Sequence, residues 1–504
     1  MHTPLFLSLS GLILCSIVVA EAFHITRHLR PVPISKQTAL DMYLAEPSPN
    51  FGYEIINKFT GFGYTAILLN MTSVTYLTSV EVTCSNWWHY LVIVVPEYIN
   101  PAYADKAVML IAGGSRYSGQ PNATSADVKL FSAISIGIGA VGVILGEIPN
   151  QPCVFAVDPL HLDRSEDDII AFGWRMFLND SSRPDWLVRL PMVKSAVLAM
   201  DAVQEYLNVT NNIHISEFIT AGASKRGWTT WLTGAVDSRV IGIIPIVMDE
   251  LNFLANIKHH YQAYGGWSFA IEAYRSQNIT VDFADPETQV IFDIEDSFIY
   301  RDRMCGIPKL MLSTSGDEFF LPDDSLWWYE QMPGEMHQRM FPNCEHSLEA
   351  CILDVAGTIE AFAVGVFSND VRPNYVWTIE STTGTIQAKQ VQVAGAPQTS
   401  EVNLWTATTL TGTRRDFRLV ALNATGQPVL QPVFWHSTTI QPNADGSWTA
   451  ECLQPIIGWR ACYLAFASPA RSTFTYTFTT DVSIVPQTLP FPMCTGQACY
   501  GKLV

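Results

Sequence analysis

Between about Tyr90 and Phe367 the chain repeats one pattern, and that pattern restricts the fold more than any other feature. Short apolar runs without polar alternation are followed by longer stretches with helical periodicity. The runs are Tyr90 to Pro96, Ala107 to Ala112, Ala140 to Leu145, Glu217 to Ala221, Val240 to Met248 and Lys309 to Ser313. A strand that is apolar on both sides must be covered on both faces, which predicts a mainly parallel sheet layered by helices. Helices are expected at Glu166 to Leu178, Lys194 to Leu207 and Leu348 to Val366. The aromatic and polar stretch 252–301 interrupts the rhythm and reads as an insertion over the ligand-binding edge of the sheet.

After about Asn369 the texture changes to alternating strands broken by Gly, Pro, Asn and Asp, at Val402 to Thr406, Phe417 to Leu422, Val433 to Ser437 and Thr473 to Thr479. In the last, Thr473, Thr475 and Thr477 alternate with Phe474, Tyr476 and Phe478, giving one wet and one packed face. The expected organisation is therefore a leader at 1–22, an α/β domain at 23–368, an all-β sandwich at 369–488 and a tail at 489–504. A chain of 504 residues that is 48% hydrophobic has ample material for two cores. Its net charge of −18 would repel a phosphate backbone or an anionic bilayer, so nucleic-acid and polybasic membrane roles are excluded.

Leu5 to Ala20 is apolar but shorter than the roughly 20 residues of a membrane-spanning helix. With the small-x-small pattern Ala20-Glu21-Ala22 it reads as a secretory signal cut before Phe23. No later run reads as a membrane span. In an oxidising compartment the remaining cysteines predict disulfides with one thiol left over. Cys344 with Cys351, Cys452 with Cys462 and Cys494 with Cys499 are the short-range candidates, while Cys84, Cys153 and Cys305 stay ambiguous. Sequons at Asn70, Asn122, Asn179, Asn208, Asn278 and Asn423 fit an extracellular glycoprotein.

Chemistry concentrates where the strand Glu217 to Ala221 runs into Gly222-Ala223-Ser224-Lys225-Arg226-Gly227 and then a helical pattern. A serine on so sharp a turn needs a tiny residue two positions earlier, which Gly222 supplies; Arg226 stands where G-x-S-x-G has its second glycine. A serine hydroxyl needs a base, and the base an orienting acid. Asp317 follows the strand Lys309 to Ser313, and His346 follows a last short strand at Met336 to Phe341, giving the order Ser, Asp, His. Asp249 at the end of the preceding strand is the rival acid, while Asp323 and Asp324 read as a helix start. His337 inside the strand reads as structural. His259 and His260 read as packing or substrate contact, because no carboxylate stands at metal-ligand spacing. No metal or cofactor site is expected. Oxyanion donors would be the amides of Lys225 and of the Gly114-Ser115 turn after the earlier strand. The Lys225 and Arg226 cations would bind a substrate carboxylate or pair with acidic neighbours.

The stretch Gly222 to Trp228, continued through Val240, resembles the PhoPQ-activated pathogenicity-related family, as do Thr38 to Tyr43, Trp88 to Tyr90, Arg189 to Met192, Gly316 to Asp324 and Pro342 to His346. The resemblance implies an α/β-hydrolase domain with Ser224, Asp317 and His346 on the triad positions. It leaves the substrate open, and because the family includes a secreted proliferation repressor it also implies an alternative, a growth-regulating ligand for a cell-surface receptor. The sequence does not decide the oligomeric state. Trp405, Trp435 and Trp448 would serve a glycan or partner if exposed, and the core if not.

Overall fold

The computed structural model describes residues 28–249, 251–283 and 286–504, so the expected signal segment lies outside the described residues. The apolar runs form the centre of a nine-stranded sheet: β1 (Gly52–Gly61), β2 (Tyr64–Thr75), β3 (Asn86–Pro96), β4 (Lys106–Ile111), β5 (Val141–Leu145), β6 (Glu217–Ala223), β7 (Val240–Ile246), β8 (Lys309–Thr314) and β9 (Met336–Phe341). Their spatial order is β1-β2-β3-β5-β4-β6-β7-β8-β9. From β5 to β9 all neighbours are parallel, while β1, β2 and β3 join by antiparallel pairing. β5 is buried throughout and β4, β6, β7 and β8 nearly so.

Helices cover both faces, which is why the strands need no polar side. Helix Arg189–Asn211 and helix Lys225–Val236 pack into one core with Trp87, Trp174 and Trp231, while helix Ala126–Ile138 and helix Ile352–Phe367 pack into the other. The stretch Glu349–Phe367 has a mean hydropathy of 1.8 and is long and apolar enough to cross a bilayer, a candidate the linear reading passes over. Here Phe362 and Val364 are buried in the core between the sheet and the C-terminal strands.

Beyond residue 373 the chain forms antiparallel sheets. Strands Asn374–Ile379, Ile386–Val391 and Ser447–Ala450 make one; Glu401–Thr408 and Arg460–Pro469 are the middle of another, with Thr475–Thr479 at its edge. Tyr375 of the first stacks on Phe466 of the second at 4.1 Å, with Trp448 at 5.6 Å, so the two meet face to face. Trp435 and Trp448 are buried and Trp405 half-buried, all within packed clusters, so these rings serve the core. The buried His337 stacks on Phe478 at 4.1 Å and bonds Glu335.

Disulfides join Cys84–Cys153, Cys344–Cys351, Cys452–Cys462 and Cys494–Cys499, and Cys305 is free and exposed. The last bridge closes the tail, whose backbone bonds Trp267 at both Lys502 and Val504 and so ties it to the stretch 252–301. Asn122, Asn179, Asn208, Asn278 and Asn423 are exposed, and Asn70 is half-buried in β2.

Candidate active site

β6 and the helix that follows it approach so closely that position 222 has no room for a side chain. A Cβ there would lie 2.6 Å from the Arg226 carbonyl oxygen. The close approach forces a sharp reversal, and Ser224 makes it with φ 57° and ψ −129°, a conformation that costs a non-glycine residue about 1–3 kcal/mol. The turn is locked by the Ser224 amide donating to Ile246 O at 2.8 Å and by Trp228 N–H donating to Ser224 O at 3.0 Å. The second tight contact falls at Gly227, where a Cβ would meet Ile246 O and Met248 Cβ at 2.9 Å. Arg226 is thereby released from the small-residue requirement.

The side chain of Arg226 turns away from the serine. Its Nη1 and Nη2 each donate to Glu166 at 2.7 Å, and its guanidinium lies under Gly113, where a Cβ would come within 2.8 Å. Lys225 Nζ pairs with Glu166 at 2.8 Å and Asp167 at 3.1 Å. Both cations of the sequence motif are therefore matched by carboxylates that precede or begin helix Asp167–Asn179. Together they hold Glu166 well below the usual carboxylate range, against its burial. Gln151 Nε2 links Gly114 O, at 3.0 Å, to Glu166, so the expected oxyanion turn belongs to the same network. The Lys225 amide sits at the first position of its helix, where backbone N–H groups have no intrahelical acceptor.

Asp317 leaves β8 and His346 leaves β9, adjacent strands, which is how residues 29 positions apart in sequence come to share a bond. His346 Nδ1 lies 2.9 Å and 2.8 Å from the two oxygens of Asp317. The amides of Phe319 and Phe320 donate to Asp317 Oδ1 at 2.7 and 3.2 Å and fix the carboxylate. The imidazole packs on Phe319 with ring centroids 4.4 Å apart. A proton held on Nδ1 leaves a lone pair at Nε2, which is buried and bonded to nothing among the described residues. The bond from the Ser224 hydroxyl that the sequence reading anticipates is thus not formed; such bonds often tighten only around substrate.

The rival acid is occupied elsewhere. Asp249 takes a bond from Trp328 Nε1 at 2.7 Å, and burial, with the nearby charge of Asp324, pushes its carboxyl well above the usual range. Beside His346, Glu318 is pushed up to about 7 by burial and the Asp317 charge. The reasoning about His259 needs correction: the fold brings Asp323 and Asp324 within 3.4 and 3.1 Å of its ring nitrogens, although no spacing in the sequence announces it. Arg415 shares this cluster, pairing with Asp323 and meeting His259 Nε2 at 3.2 Å, so a cation's charge is already present there.

Ser224 and Lys225 line a narrow cavity whose free space is about 30 Å³. Trp228, Phe253, Tyr274 and Phe319 are among its walls, and the Phe319 ring contacts both the cavity and His346. Phe253 and Tyr274 come from the stretch that interrupts the strand-helix rhythm. Gly114 and Ser115 are not among the lining residues. Asp167 and Arg189 are, and sequence reasoning gave neither a role; nothing in the linear text links them to residue 224.

Sheet order, the strained serine after β6, and the acid and histidine after β8 and β9 define an α/β-hydrolase fold. The chain belongs to the PhoPQ-activated pathogenicity-related protein family, whose model matches residues 40–418. It is 35% identical over 476 residues to autocrine proliferation repressor protein A of Dictyostelium discoideum, covering 92% of this chain and 94% of that one. Among solved structures it is similar to acetyl xylan esterase 1 from Thermoanaerobacterium sp. JW/SL YS485, at 15% identity and TM-score 0.43, with 67% of this chain and 96% of that chain covered. It is also similar to the acetyl xylan esterase from Paenibacillus sp. R4, at 12% identity and TM-score 0.43, over 64% and 99%.

Proposed function

We propose that the protein is a secreted, glycosylated serine hydrolase that transfers an acyl group through Ser224, His346 and Asp317, acting on an extracellular ester or peptide. His346 Nε2 takes the Ser224 proton as the hydroxyl oxygen attacks the scissile carbonyl, and the tetrahedral oxyanion is met by the Lys225 amide. The imidazolium returns the proton to the leaving group, and water repeats the cycle to release the acid. Asp317 holds the imidazole with its proton on Nδ1 throughout. The observation that carries this reading is that strands of one sheet end in both a strained serine at a cavity wall and a histidine whose Nδ1 is held by a buried carboxylate and whose Nε2 is unused. Four disulfides are consistent with the extracellular side of a membrane.

A second reading rests on the 35% identical relative named as an autocrine proliferation repressor: a signal that uses the scaffold to bind a receptor. One pair of proteins separates the two. Ser224→Ala is expected to lose p-nitrophenyl butyrate hydrolysis by at least about 10³-fold, and growth-regulating activity in a proliferation assay with it. Hydrolysis lost with growth repression retained would favour the ligand. Hydrolysis unchanged by the substitution would remove Ser224 from the mechanism.

A further inference from the structure

The Arg189 side chain borders the Ser224 cavity and is 0% exposed. It begins helix Arg189–Asn211 and stacks on Trp228, with the guanidinium carbon 4.3 Å from the ring centroid. Nη1 donates to the carbonyl of Lys225 at 2.6 Å, which fixes the group one residue from the nucleophile. Nε and Nη2 are buried and donate to nothing among the described residues. Lys225 and Arg226 are matched by Glu166 and Asp167, and Asp167 also takes the Tyr274 hydroxyl at 3.1 Å. Glu295, an acid near Arg189, accepts Trp174 Nε1 at 2.7 Å, and its charge favours the buried guanidinium from a distance; its other oxygen bonds nothing among the described residues and it forms no ion pair with Arg189.

Leaving two donors of a buried cation unused is costly, and a structural arginine would normally spend them. The two that are free share one edge of the guanidinium plane, the side-on fork that matches both oxygens of a carboxylate. The rest of the wall is mostly apolar, with Trp228, Met248, Phe253 and Ile257, so such a bond would form away from water.

We propose that Arg189 determines specificity by binding a carboxylate of the substrate through Nε and Nη2, so that the preferred acyl group carries a second, anionic end. The proposal rests on Ser224 being the nucleophile, and the test keeps the two apart. Mono-p-nitrophenyl esters of glutarate, adipate and suberate are compared with uncharged p-nitrophenyl esters of the same carbon number. At least one diacid ester is expected to exceed its uncharged partner about tenfold or more in kcat/KM. Arg189→Gln should abolish that ratio, and Arg189→Lys should recover part of it. A ratio near one in the wild type overturns the proposal without reference to any variant, as does a ratio that survives in Arg189→Gln. If no ester is turned over, the hydrolase reading fails, and calorimetric titration of Ser224→Ala protein decides the subsite: hexanoate binding and hexanamide not binding supports it, while equal or absent binding of the two overturns it.

Discussion

Asp317→Asn is expected to lower ester turnover about 10⁴-fold, the loss this change brings in a Ser-His-Asp triad, with far less effect on folding. One amide oxygen can still accept from Phe319 and Phe320 N–H, as Asp317 Oδ1 does at 2.7 and 3.2 Å. The amide nitrogen then faces His346 Nδ1, which lies 2.8 Å from the other oxygen. Two donors cannot share that bond, so the ring places its proton on Nε2 and loses the lone pair that would take the serine proton. Asp249→Asn is the control: its carboxyl bonds Trp328 and is held toward the neutral form, so an amide changes little there and turnover should stay within about tenfold. Equal losses in the two variants would show that the orienting acid has been misassigned.

Glu166→Gln is expected to give the largest loss of stability, because it leaves two buried cations facing one remaining carboxylate. Arg226 and Lys225 side chains are 11% and 7% exposed, and Lys225 retains only Asp167 at 3.1 Å. Removing one partner of a buried pair costs about 3–5 kcal/mol. The Glu166 side chain is 43% exposed, so solvent screening reduces this to about 2 kcal/mol. The pH dependence has a defined sign. The folded carboxylate titrates below its unfolded value of 4.5, so its contribution is complete above pH 4.5 and is lost as pH falls toward the folded value. Denaturant melts of wild type and variant should therefore differ most at neutral pH and converge in acid. A gap that widens as pH falls would contradict the network.

The sequence made the inner strands legible because burial on both faces removes polar residues and leaves an uninterrupted apolar run; β4, β5 and β8 begin and end within a residue or so of those runs. The hairpin β1–β2 escaped notice since β1 is largely exposed and carries mixed residues. The C-terminal strand Arg460–Pro469 also escaped, despite being central to its sheet, because it lacks the polar alternation sought in that region. Ser224, Asp317 and His346 were readable because each follows a recognisable strand, and topology brings such strand ends to one edge. Glu166, Asp167 and Arg189 were not, because they meet residues 224–226 only through the packing of separate helices. Arg226 illustrates the difference: its type and position leave substrate binding and pairing with acidic neighbours both open, and only the fold supplies the partners, Glu166 and the carbonyl of Ile148, that make it structural.

The hydroxyl at the β6 turn and the imidazole after β9 are held to act as one unit, and covalent trapping tests this most directly. The intact chain is treated with a fluorophosphonate at mildly alkaline pH, digested, and the adduct located by mass spectrometry. The predicted result is a single phosphonyl group on Ser224, absent from Ser224→Ala and formed at least about 100-fold more slowly in His346→Gln. An unlabelled wild-type chain, an adduct on a different residue, or labelling of Ser224 at an undiminished rate without the histidine would contradict it.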